Sequence, residues 1–166
     1  MTNRQIKILF GVCIGLYMAL VCFNNITDHV SNFRFVRMVA GMDDVFSKES
    51  TGWRAVKNDT LHHIMYLFII ACELTITCMV VTGTYKMMKQ LKSEAAEFHR
   101  AKKWLRTGLA LGVVLWFGMF ISIGGEWFLM WQSKEWNGQF TAFFLTICFL
   151  LFLIYLDTGE ERPIST

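Results

Sequence analysis

Residues 6–27, 61–85, 107–132 and 139–156 are each mostly apolar over about the 17 to 25 residues that a helix needs to cross the hydrocarbon of a bilayer. The apolar residues come in blocks, not at amphipathic spacing, and the chain is 54% hydrophobic but only 17% charged, which excludes a water-soluble core. The sole proline, Pro163, lies beyond the last block, so no span carries the break that marks discontinuous transporter helices. The first block is longer than the core of a signal peptide, about 7 to 15 residues, and ends in Asn24, Asn25, Thr27 and Asp28; it is read as a retained span. The expected fold is all-α: one membrane domain over 1–166, an antiparallel up-down four-helix bundle.

Orientation follows from Lys and Arg, because basic short loops stay on the cytoplasmic side. The 86–106 loop holds Lys86, Lys89, Lys92, Arg100, Lys102, Lys103 and Arg106; with Arg4, Lys7 and Arg162 that side has ten cations. The other side has six: Arg34, Arg37, Lys48, Arg54, Lys57 and Lys134. Both termini are therefore expected in the cytoplasm, and 28–60 and 133–138 outside. The formal charge of +3 then reflects topology and attraction to anionic lipid, not nucleic-acid binding. Trp104, Trp131 and Trp136 flank the third and fourth spans, as expected of indoles at headgroup depth.

Helices in lipid associate through close backbone approach, so small residues four apart mark contact faces. The first span offers Gly11, Gly15 and Ala19; the third offers Gly108 and Gly112, then Gly118 and Ser122, with Gly125 before Glu126. The outer segment 28–60 has Phe33, Val36, Val39 and Ala40 at helical spacing among charges, which predicts short amphipathic helices lying on the bundle or the membrane as a cap. The inner loop, with Glu94, Glu97 and His99 among its cations, is a candidate helical extension, and the tail from Asp157 to Thr166 is polar and expected to be disordered. Cys13, Cys22, Cys72, Cys78 and Cys148 all fall within spans and form no Cys-x-x-Cys pair, which argues against a thiol oxidoreductase.

Two acids, Glu73 and Glu126, lie inside spans, where a carboxylate costs several kcal/mol unless paired, wetted or protonated. Counting helix rise puts Glu126 roughly 8 Å inside the outer end and Glu73 about 18 Å inside it, too far apart for a dyad. Asn24, Asn25, Asp28, His62, His63, Tyr66 and Glu126 fall at similar levels and are expected to form one polar cluster under the cap. His62, Tyr66, Glu73 and Thr77 share a helix face. Glu73 is expected to be a neutral structural acid, donating to a carbonyl or hydroxyl of a neighbouring helix. His62 and His63 follow Asn58, Asp59 and Thr60, good N-cap types. Adjacent histidines point about 100° apart on a helix, so both do not readily serve one ion. The simpler expectation is that one of them bonds Glu126 or Asp28 and locks the cap down.

The run Asn24, Asn25, Thr27, Asp28, Asn32, Phe33, Val36, Arg37, Met42-Asp43, Trp53-Arg54-Ala55, Leu61-His62-His63 and Glu73 resembles a bacterial family of predicted small integral membrane proteins of unknown function. Its third-span motif reads here Leu115-Trp116-Phe117-Gly118, Ile123-Gly124-Gly125-Glu126-Trp127-Phe128 and Met130-Trp131-Gln132-Ser133, then Trp136-Asn137-Gly138. The resemblance covers nearly the whole chain and implies four spans in a bacterial inner membrane; it brings no activity. It also implies a histidine where this chain has Met38, a departure that weakens any metal site in the outer segment.

Two functional readings follow. The first is a non-catalytic membrane protein, an accessory subunit or self-associating bundle, with lipids, further copies or other membrane proteins as partners and no cofactor. The second is a small ion- or proton-coupled transporter, or a holder of a metal ion, haem or quinone, using Glu73, Glu126 and His62 or His63.

Overall fold

The computed structural model describes residues 1–159; the expectations placed on Arg162, Pro163 and the end of the tail lie outside the described residues. The chain is 81% helical with no strand among the described residues, and four helices are long and apolar enough to span a bilayer, consistent with a membrane helical bundle.

Helix α1, Asn3–Thr27, opens with a capping box: the Thr2 side chain accepts from Gln5 N and the Gln5 side chain accepts from Thr2 N. It ends at a one-residue joint. Asp28 N donates to Asn24 O at 2.8 Å, and the Asp28 carboxylate then accepts from Ser31 N at 3.4 Å to start α2, His29–Ala40. After the short α3, Lys48–Thr51, and a single tight turn over Gly52–Arg54, α4 runs from Asp59 to Lys89, with Asn58 as its cap. At 31 residues α4 is about 46 Å long, well beyond the roughly 30 Å of hydrocarbon.

That excess length explains the outer segment. Gly11 lies against Thr84 and Gly15 against Val81, then Asn25 meets Glu73. Beyond the joint the same rail continues: Phe33 stacks on His63 at 4.1 Å, Arg37 reaches Asp59 at 3.6 Å, and Val56 N donates to Ala40 O at 2.9 Å. Residues 29–40 therefore climb along the first turns of α4.

Helix α5, Ala95–Ala101, and α6, Lys103–Val113, lead into the third span, so most of the 86–106 stretch is helical and only 90–94 joins α4 to α5. Gly83 faces α6 so closely that a Cβ would sit 2.6 Å from Leu105 Cα; Gly108 abuts Val80 and Met79. From Val114 to Trp127 the span becomes a π-helix, with i→i+5 bonding continued by Phe128 N to Ile123 O at 2.9 Å. The span ends at Trp127, short of residue 132, where Leu129 takes a left-handed φ of 56°. Helix α7, Gln139–Asp157, packs on both halves, with Phe149 filling the space that a side chain at Gly112 would need. Asp157 is bound to Arg106 at 2.9 Å at the end of α7. The core between the spans is apolar, built on Met18, Ile76, Val80, Leu109, Trp116 and Phe149.

Candidate functional site

The polar centre of the bundle is Glu73. It is 1% exposed, on the face of α4 that also buries Tyr66, Ile76 and Val80. Asn25 of α1 donates its amide N–H to Glu73 Oε2 at 2.6 Å. The Tyr66 hydroxyl, two turns away on α4, donates to the backbone carbonyl of Asn25. That carbonyl lies in the last turn of α1, where the helix itself supplies no donor. One asparagine thus donates one bond to a face of α4 and accepts another from it, and the last turn of α1 is fastened there. Glu73 Oε1 is buried with no hydrogen-bond partner, and no cation lies within ion-pair range of Glu73 among the described residues.

The expected cluster is divided. Asn25 and Tyr66 join Glu73, not Glu126. Asn24 is exposed, its carbonyl spent on the joint at Asp28. His62 is 3% exposed; its Nε2 lies 2.9 Å from Val56 O and its Nδ1 3.6 Å from Asp59 Oδ1, so it locks the outer segment through those groups instead of Glu126 or Asp28. His63 stacks on Phe33 with His29 behind it at 6.1 Å. Glu126 is exposed, and its side chain makes no hydrogen bond or ion pair among the described residues, so it does not sit among the other polar groups. The reason is helical pitch. After Val113 each turn holds more residues than in an α-helix, so the packing face carried by Leu105, Leu109 and Gly112 rotates, bringing Gly125 inward against Gln139 and leaving Glu126 outside.

The same rotation displaces two expected packing residues. Gly11, Gly15, Gly108, Gly112 and Gly125 are buried contacts, but a Cβ on Gly118 would meet only Val114 of its own helix, and Ser122 is exposed with its hydroxyl turned back to Phe117 O. Trp104 is exposed beneath Lys86, Trp131 is exposed beside Phe46, and Trp136 is half-buried under Arg34.

Three cations were unforeseen as internal groups. Arg4 donates to Leu91 O and Ser93 O at 3.0 and 2.6 Å, Lys7 to Thr158 O at 2.7 Å, and Lys102 to Leu156 O at 3.0 Å; all are buried. They bind carbonyls at and just beyond helix C-termini, where positive charge is favourable. The signal was in the sequence: Arg4 and Lys7 continue the stripe of Gly11 and Gly15 at spacings of three and four. Gly83 was also missed, because it stands without a small neighbour four residues away. No group of three His, Cys, Asp or Glu among the described residues is arranged to hold a metal ion.

The family described as predicted small integral membrane protein (DUF2165) matches residues 3–158. No curated protein matches the chain, and no solved structure does.

Proposed function

We propose, on the premise that the chain belongs to the family of predicted small integral membrane proteins just matched, that it is a non-catalytic membrane subunit that assembles with further copies or with other membrane proteins. One observation carries this reading: the buried polar side chains of α1 and α4 are spent inside the fold, Asn25 and Tyr66 tying α1 to α4 around Glu73 and His62 holding the Val56 carbonyl of the outer segment. Its setting is the inner membrane of a bacterium, with both termini and the 90–94 connection in the cytoplasm. Purification in mild detergent tests the role: oligomers or stoichiometric partners are expected, and a monomer with nothing bound contradicts it.

The competing reading, proton- or ion-coupled transport or cofactor binding, is favoured by the unpartnered Oε1 of Glu73. Glu73→Gln separates the two. The subunit role predicts unchanged assembly, because an amide keeps the shape and still accepts from Asn25; loss of a proton-coupled flux in vesicles, with assembly intact, favours the transporter.

A further inference from the structure

Helix α4 packs closely on α6 but scarcely on the π-helical half of the third span. The two diverge from about Leu111 outward and leave an apolar crevice of about 420 Å³, walled by Phe68, Cys72, Leu111 and Met119. That volume falls within the range of about 300 to 1,000 Å³ typical of ligand sites. A second, smaller apolar cavity of about 70 Å³ adjoins at Met119, which lines both, and lies between Ile69, Ile123 and Phe128 and against Val36 and Ala40 of α2. The crevice's rim residues Phe68 and Val114 are 54% and 62% exposed, so it opens sideways from the bundle, at the level of the spans, where acyl chains lie.

A cation stands near the smaller cavity, through its contact with the residue that precedes Phe128. The Arg54 guanidinium lies 5.4 and 5.3 Å from the ring centres of Trp53 and Trp127, and Nη1 meets Trp127 O at 3.4 Å, one residue before Phe128. Val56, two residues after Arg54, is bonded to Ala40 of α2. Arg54 Nε is buried without a hydrogen-bond partner, and no carboxylate pairs with Arg54 among the described residues. Indoles settle at headgroup depth, and a guanidinium held against two of them places a positive charge where lipid phosphates lie.

We infer that this crevice is a lipid site: it takes one acyl chain of an anionic phospholipid whose phosphate rests on Arg54. The site stands apart from the subunit role, since it needs no second protein. The test places the full chain in nanodiscs of phosphatidylethanolamine with phosphatidylglycerol as the minority lipid, and native mass spectrometry then reads which lipid stays bound. Wild type retains one phosphatidylglycerol per chain, about five-fold enriched over its share of the disc, the effect of one well-placed cation. Arg54→Gln retains lipid without headgroup preference. Ala71→Trp fills the crevice and retains none; Thr75→Phe, also on its wall, serves if that variant does not fold. Equal retention of both headgroups by wild type, or undiminished phosphatidylglycerol on a folded crevice-filled variant, overturns the proposal.

Discussion

Gly83 and Gly118 carry the same side chain in neighbouring spans and have opposite surroundings. A Cβ at Gly83 would enter the Leu105 backbone, which cannot yield without moving α6, whereas Gly118 has open space. Gly83→Ala is expected to cost about 1 to 3 kcal/mol by overpacking, or more if the helices cannot separate. Gly118→Ala is expected to be neutral or slightly stabilising, since alanine favours helix by up to about 1 kcal/mol. Thermal unfolding in one detergent compares them directly. Arg4 behaves as an internal anchor, not as a surface charge. Arg4→Ala removes the donor to two carbonyls and should destabilise by about 1 to 3 kcal/mol while leaving topology unchanged, read by unfolding and by a reporter on the inner connection.

At the scale of elements, α2 is held to α4 chiefly by rings, Phe33 on His63 and His29 edge-on to Tyr66. Such pairs add about 0.5 to 1.5 kcal/mol beyond their buried area, so Phe33→Ala should speed amide exchange across 29–40 by roughly two- to ten-fold and leave the spans protected. Uniform acceleration across α4 as well would mean that α2 supports the whole bundle. The four spans and the helical outer segment were readable from the sequence, because lengths of apolar blocks and helical spacing are local properties. The partner of Glu73 was not. The depth count assumed that spans begin at one level, whereas α4 starts some three turns beyond the end of α1, which brings Asn25 down to Glu73. The place of Glu126 was unreadable for a different reason: nothing in Val114 to Trp127 announces a change of helical pitch.

The whole molecule is an integral, multi-pass bundle in which α1 and α2 together track α4, and α7 covers both halves of the third span. The charge bias proposed for its topology now rests on fewer surface cations, because Arg4, Lys7 and Lys102 are buried. Labelling of single cysteines at residues 2 and 92 from one side, and at residue 48 from the other, is the expected pattern; labelling of 2 and 92 from opposite sides contradicts it. The Asn25–Glu73 bond ties α1 to α4 at the buried acid, and a double-mutant cycle measures what that tie contributes, with unfolding in mild detergent followed for Asn25→Ala, Glu73→Ala and the pair. A favourable coupling of about 1 kcal/mol is expected, in the range found for hydrogen bonds between membrane helices. Strictly additive effects, with no coupling between the two sites, would contradict it.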